Sequence, residues 1–140
     1  LTAASSKKRL LHEIGDLVSV AYGLDAGKVV ESLTARENLG PTGVGNGVAL
    51  PHARVEGIKN VVGAFVLLDR PVDFDSVDRH PVDISFALFA TLNAGVEHLK
   101  ALALVSRTLR EASIRAKLRA NPDPTTIYAI LSETQNSQAA

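Results

Sequence analysis

Apolar residues recur with helical spacing in the first part of the chain. A helix is predicted from a cap at Ser5 or Ser6 to Gly23, because its apolar residues fall on one stripe of a 3.6-residue repeat. That stripe comprises Leu10, Ile14, Leu17, Val18 and Ala21. Asp25 is expected to cap a second helix that ends near Asn38, just before a Gly-Pro pair.

Three apolar segments then predict β-strands near residues 44–52, 61–68 and 82–90. The runs VVGAFVLL and VDISFALFA are apolar on successive residues, which is typical of a sheet that is covered on both faces. Residues 69–81 carry four Asp and two Pro, so a structured loop is expected between the second and third strands. Helices must therefore cover the sheet.

Helices are predicted over residues 96–110, residues 112–120, and from Pro122 and Pro124 to about Ser132. The polar end of the chain, TQNSQAA, is expected to be frayed. The chain starts with Leu rather than Met, which leaves open whether a leading strand precedes it.

Composition narrows the class of protein. The chain has 140 residues, of which 46% are hydrophobic, so one domain is expected over 1–140, with a core at 5–134 and a polar tail at 135–140. Fifteen basic residues balance fifteen acidic ones, which disfavours nucleic acid and anionic membranes as partners. The chain has no Cys, so neither a disulfide framework nor thiolate chemistry is expected. It also has no apolar run long enough to insert into a membrane, so a soluble, cytoplasmic protein is expected.

The segment TGVGNGVALPHAR is the strongest candidate for chemistry. Its glycines at 43, 45 and 47 allow a tight turn before a short apolar strand that ends at Pro51-His52. A backbone carbonyl can hold one nitrogen of such an imidazole and leave the other free as a nucleophile or base. An ordinary surface histidine after a hairpin turn is an equally good interpretation of this segment alone.

His98 and Arg36 are weaker candidates. His98 shares a helix face with apolar residues, so it is either a core histidine or, in the first helical turn, part of an anion site. Arg36, sixteen residues before His52, is by local sequence a cation that complements a helix C-terminus. His12 and His80 are expected to be solvated.

Two other sequence patterns do not indicate a functional site. The sequence GVGNG precedes a strand instead of linking a strand to a helix, so it is not a dinucleotide fingerprint. Five acidic residues could bind a hard cation, but interspersed Pro, Phe and Val favour turns, and no metal site is expected. The five acidic residues are Asp69, Asp73, Asp75, Asp78 and Asp83.

The order of short motifs along the chain resembles a known family. The pattern is R-E-x-L-G-x-T-G-x-G-N-G-x-A-x-P-H, then P-V-D-F-D, P-V-D-x-x-F-A-L and E-H-L-x-x-L. It is similar to the IIA proteins of the bacterial phosphoenolpyruvate-dependent phosphotransferase system, in the fructose/mannitol superfamily and nearest its nitrogen-regulatory branch. Ala53, in place of a frequent Gly, and His80, in place of an uncharged polar residue, depart from the pattern.

The resemblance implies an α+β fold, a three-layer α/β/α sandwich with a mixed central sheet. It also implies a phosphocarrier whose acceptor is His52, through Nε2 as a tele-phosphohistidine, with Arg36 and His98 stabilising the phosphoryl oxygens. The amides of the turn at Gly43, Gly45, Asn46 and Gly47 would be helpers. No metal or cofactor is needed.

The implied donor is a histidine-phosphorylated carrier protein of the HPr or NPr type. Regulatory proteins of potassium transport or nitrogen control would read the phosphorylation state, and a homodimer is left open. Two alternatives stay open: a sugar-specific IIA component that passes the group to a IIB domain, and an interaction module that is never phosphorylated.

Overall fold

A computed structural model describes the backbone of residues 2–139 and the side chains of residues 2–132. The helices are α1 (Lys7–Tyr22), α2 (Ala26–Leu39), α3 (Val96–Arg110), α4 (Ala112–Ala120) and α5 (Pro124–Ala139). The strands are β1 (Gly43–Gly45), β2 (Val48–Ala49), β3 (His52–Arg54), β4 (Val62–Val72) and β5 (Val82–Ala90). The predicted bounds of α3, α4 and β5 are confirmed.

β5 is the centre of a mixed sheet. It pairs in parallel with β2 near its start and with β3 near its end, and antiparallel with β4 on its other side. β1 adds to β2 in antiparallel orientation. The mixed sheet implied by the sequence is confirmed.

Two apolar cores lie on opposite faces of the sheet, which gives the three layers of the implied α/β/α sandwich. α1 and α2 cover one face, where they pack on alternate strand residues such as Ala87 and Phe89. α3, α4 and α5 cover the other face, where they pack on Ile84 and Leu88. The alternation along β5 follows from the two-residue repeat of a strand, and burial on both faces explains its uninterrupted apolar run.

The two N-terminal helices begin where the sequence predicts. Ser6, not Ser5, caps α1 by accepting a hydrogen bond from Arg9 N, and Asp25 caps α2 in the same way. The predicted apolar stripe of α1 is partly wrong, because Leu17 and Ala21 are exposed. α2 packs against the side of α1 that carries Gly15, where Val30 comes so close that a side chain would not fit. The buried face of α1 is therefore set by contacts with α2 as well as with the sheet, and it differs from the predicted stripe.

The single strand predicted over residues 44–52 is wrong. The structure has three short strands there, because Gly45, Asn46 and Gly47 all adopt positive φ and turn the chain between β1 and β2. A second interruption falls at Leu50 and Pro51, where proline has no N–H for a sheet hydrogen bond. His52 therefore begins a strand instead of ending one.

β4 is longer than predicted, since it runs to Val72 and takes in residues 69–72 from the expected loop. Five residue steps of β4, from Leu67 to Val72, face only two steps of β5, from Ile84 to Val82, so the register shifts between them. Pro71 is tolerated here because proline has no N–H to donate and the residues between Leu67 and Val72 are not paired with β5.

α5 also exceeds its prediction, because the helix continues beyond Ser132 to Ala139. The side chains of residues 133–139 and all of Ala140 lie outside the described residues. The prediction of a frayed tail falls on these residues.

Candidate functional site

Three elements converge at one end of the sheet. His52 is the first residue of β3, Arg36 lies in the last turn of α2, and His98 lies in the first turn of α3. The structure thus brings together three residues that the sequence separates by up to 62 positions, 98 minus 36. Tertiary packing of α2 and α3 on opposite faces of the sheet makes this meeting possible.

The imidazole of His52 is held at both nitrogens. Nδ1 lies 2.9 Å from the carbonyl oxygen of Leu50, and Nε2 lies 3.1 Å from Nε of Arg36. Because a guanidinium can only donate, Nε2 must accept, and the ring proton must sit on Nδ1 and point at Leu50. The half-buried ring therefore presents the lone pair of Nε2 beside a cation.

Arg36 is itself oriented by the backbone. Its Nη1 donates to the carbonyl oxygen of Gly40 at 2.9 Å, one turn further along the chain. Among the described residues these two hydrogen bonds engage Nε and Nη1, so further N–H groups of the fork are left to bind an anion. A planar guanidinium suits the paired oxygens of a phosphoryl group.

His98 faces the same site from α3. Its ring centroid lies 5.4 Å from that of His52, and it is only 6% exposed. Within the described part of the chain, Nδ1 of His98 has no hydrogen-bond partner. Burial lowers the pKa of His98, with smaller contributions from the charges of His52 and Arg54, so the ring is held neutral in the folded protein near pH 7.

This lowered pKa predicts a pH-dependent stability. Below the ordinary histidine pKa of about 6.5, the unfolded chain binds a proton at His98 that the folded chain binds only at lower pH, so the free energy of unfolding should fall as pH drops below about 6.5. We expect His98→Gln to reduce that fall in thermal melts, whereas His80→Gln, at an exposed position, should keep the wild-type slope. Equal slopes in all three proteins would contradict the assignment.

The tip of the glycine turn, at Asn46 and Gly47, lies away from His52. Gly47 O accepts from Ile84 N, whereas His52 pairs with Leu88, about 13 Å further along β5 at 3.3 Å per residue. Asn46 N donates to the carboxylate of Asp78 and lowers its pKa, so this amide is already engaged. For Asn46 and Gly47, the expected help of the turn amides does not fit this geometry.

Other predictions about single residues can be compared directly. His80 is exposed as expected, and on α1 Nδ1 of His12 lies 2.9 Å from the carbonyl oxygen of Lys8. Ala53, which departs from the expected motif, is buried in β3 with φ outside the positive range, so alanine fits without strain.

Arg54 is a site residue that the sequence reasoning missed. Its charge contributes to the lowered pKa of His98, which places it in the electrostatic surroundings of the two histidines. The signal was available: residues 52 and 54 share a face of any strand, because side chains alternate.

Comparison with known families gives a match over nearly the whole chain. Residues 1–134 match the model described as "Phosphoenolpyruvate-dependent sugar phosphotransferase system, EIIA 2". The chain belongs to this EIIA family. Among its relatives, the nitrogen regulatory protein of Bradyrhizobium diazoefficiens is 45% identical over 91% of this chain and 83% of its own. That of Pseudomonas aeruginosa is 42% identical over 95% and 87%.

Solved structures agree with the family. The crystal structure of nitrogen regulatory protein IIA-Ntr from Neisseria meningitidis superposes with a TM-score of 0.87 at 41% identity, covering 93% of this chain and 89% of the other. The IIA mannitol structure from Escherichia coli shares the fold with a TM-score of 0.75 at 22% identity, over 93% and 92% of the two chains. The resemblance stated from sequence is confirmed, and this EIIA chain is a phosphotransfer component similar to nitrogen regulatory IIA proteins.

The described residues show neither a metal-binding cluster nor a membrane-spanning helix. Within residues 2–132 no group of three or more His, Asp or Glu side chains is arranged to hold a metal ion. None of the described helices has the length and apolar character required to cross a bilayer.

Proposed function

We propose that this EIIA chain is a regulatory phosphocarrier that accepts one phosphoryl group on Nε2 of His52. The observation that carries the proposal is the pair of contacts at its imidazole, with Nδ1–H donating to Leu50 O and Nε2 beside Arg36. The donor we propose is a phosphohistidine on a small carrier protein. The protein would act in the cytoplasm, where that phosphotransferase system operates.

The transfer balances as an exchange between two imidazoles. The hydrogen bond from Nε of Arg36 breaks and frees the lone pair of Nε2. That lone pair attacks phosphorus, the P–N bond of the donor breaks, and its electron pair returns to the donor nitrogen. The Nδ1 proton stays on His52, so the phosphorylated ring is cationic, and the carbonyl oxygen of Leu50 stabilises that charge. No general base is required.

Charge stabilisation falls to the neighbouring side chains. The free N–H groups of Arg36 would bind phosphoryl oxygens, and a dianion beside the buried His98 would favour protonation of its ring and a second hydrogen bond. Transfer of a phosphoryl group asks a protein mainly for such positioning and electrostatics.

The surface around the site suits a protein donor. Leu39 follows Arg36 at the end of α2 and is 85% exposed, while Val96 and Leu99 flank His98 and are 60% and 66% exposed. Large apolar side chains exposed beside a reactive group are typical of a surface that another protein covers.

Incubation with phosphoenolpyruvate, enzyme I and a histidine carrier protein tests the proposal. We expect one phosphate per chain that is labile in acid and stable in base, and no label when the carrier protein is omitted. A chain that stays unlabelled with an active carrier protein present would favour the alternative of a pure interaction module.

The names of the relatives suggest which proteins respond to the phosphorylated chain. Because the two relatives described above are named nitrogen regulatory proteins, we propose that regulatory proteins, such as those of nitrogen control or potassium transport, read the phosphorylation state. A fructose-specific EIIA component from Haloferax volcanii is 31% identical over 79% of this chain, which keeps the sugar-specific alternative as a second candidate. Onward transfer of the label to a purified IIB domain would favour that alternative.

A further inference from the structure

Glu37, the residue after Arg36, is a buried carboxylate that the proposed transfer does not use. It is 7% exposed and accepts hydrogen bonds from both N and Oγ1 of Thr42. Nζ of Lys7, at the start of α1, pairs with it at 2.8 Å. Burying a carboxylate costs free energy unless it is fully paired, so this arrangement holds the chain between residues 37 and 42 in a defined shape.

One series of hydrogen bonds leads from that bend to Nδ1 of His52. The carbonyl oxygen of Thr42 accepts from Leu50 N at 3.0 Å, and the carbonyl oxygen of Leu50 accepts from Nδ1. Leu50 is thus fixed at both its N–H and its carbonyl. A shift of Thr42 would move the acceptor that selects the tautomer of the imidazole.

A second series leads from the same bend to Nε2. Gly40 N donates to Glu37 O at 3.1 Å, and Gly40 O accepts from Nη1 of Arg36. Nε of Arg36 then reaches Nε2 of His52. Both ring nitrogens are therefore connected to residues 40–42, which the Glu37 carboxylate holds at Thr42.

We propose that Glu37 is a positioning residue that sets the tautomer and orientation of the His52 imidazole through the bend at residues 40–42. Its effect on the ring is a property of the free protein, and only its effect on transfer rests on the proposed function. Lys7 neutralises the carboxylate, so the start of α1 takes part in the same arrangement.

Glu37→Gln is the sharpest variant. The amide keeps the shape of the side chain, but only one of its two terminal atoms can accept, so Thr42 N–H or Thr42 Oγ–H loses its acceptor. The NH₂ group also faces the ammonium of Lys7 as a second donor. Glu31→Gln, an exposed glutamate on α2, is the matched control.

The tautomer is measured directly by long-range ¹H–¹⁵N spectra of the His52 ring, at a pH where it is neutral. We expect the wild-type protein and Glu31→Gln to show the Nδ1–H form, and Glu37→Gln to show a clear share of the Nε2–H form. Phosphoryl acceptance by Glu37→Gln should be about tenfold slower, the equivalent of one lost hydrogen bond, with the label still on His52.

Thr42→Val and Thr42→Ser give a second test if Glu37→Gln does not fold. Valine removes the Oγ–H donor and should shift the tautomer, whereas serine keeps that donor and should restore the wild-type spectrum. Wild-type tautomer and transfer rate in a folded Glu37→Gln, with only a lower melting temperature, would overturn the proposal. A shifted tautomer in a protein that is never phosphorylated would support the positioning role and reject the proposed function.

Discussion

His52→Ala is expected to abolish phosphoryl acceptance completely while leaving the protein folded. The variant removes Nε2, the nitrogen that we propose as the nucleophile, and no other described histidine has a lone pair held beside a guanidinium in this way. The half-buried ring contributes two hydrogen bonds, so the melting temperature should fall only a little. Mass spectrometry of the labelled mixture and a thermal melt check both parts.

Two other histidines provide the controls for this variant. His12→Ala and His80→Ala alter histidines away from the site and should accept phosphate at the wild-type rate. His98 is the informative exception, because its ring lies 5.4 Å from that of His52 and its Nδ1 has no partner among the described residues. Label that persists in His52→Ala, on His98 or elsewhere, would contradict the assignment of the acceptor.

Arg36→Ala is expected to have the second largest effect, slowing transfer by roughly 10- to 100-fold. This range corresponds to losing a charge-assisted hydrogen bond of about 1.5–3 kcal/mol. Arg36→Lys should keep the charge but lose part of the rate, because an ammonium cannot reach Nε2, Gly40 O and a phosphoryl oxygen in the geometry of the fork. Single-turnover transfer from the phosphorylated carrier protein measures both.

Arg107→Ala, at an exposed position on α3, is the matched control and should transfer normally. If both Arg36 variants transfer at the wild-type rate and only their melting temperatures change, Arg36 serves the end of α2 alone. The site would then consist of two histidines.

Local sequence patterns predicted some of the residues of the candidate site and missed the role of others. The motif around Pro51-His52 identified the histidine whose imidazole is held by a backbone carbonyl, and helical spacing indicated that His98 faces inward, which its burial confirms. Arg36, by contrast, read locally as a helix-end cation. Its contact with His52 depends on how α2 packs against β3, which no local pattern encodes.

The strands also include one that the sequence predicted correctly and one that it predicted wrongly. β5 was predicted within its exact bounds, because burial on both faces leaves an uninterrupted apolar run. Residues 44–52 were predicted as one strand because apolar residues flank the glycines, although three consecutive positive φ angles break that strand. The geometry disfavours the expected role of the Asn46 and Gly47 amides for a related reason: nearness in sequence to His52 does not set the distance between the tip of the turn and His52 along β5.

The sequence by itself determined the presence of the five helices, the caps of α1 and α2, the two-sided burial of the sheet, the family and the histidine most suited to chemistry. These features depend on neighbouring residues, through the repeat of apolar positions and the bonding of capping side chains. Tertiary structure alone decided that Arg36 meets Nε2, that the glycine turn lies away from the site, and that Glu37 and Thr42 connect to both ring nitrogens. Such contacts join residues through hydrogen bonds that form only once α2, β3 and the bend between them are packed together.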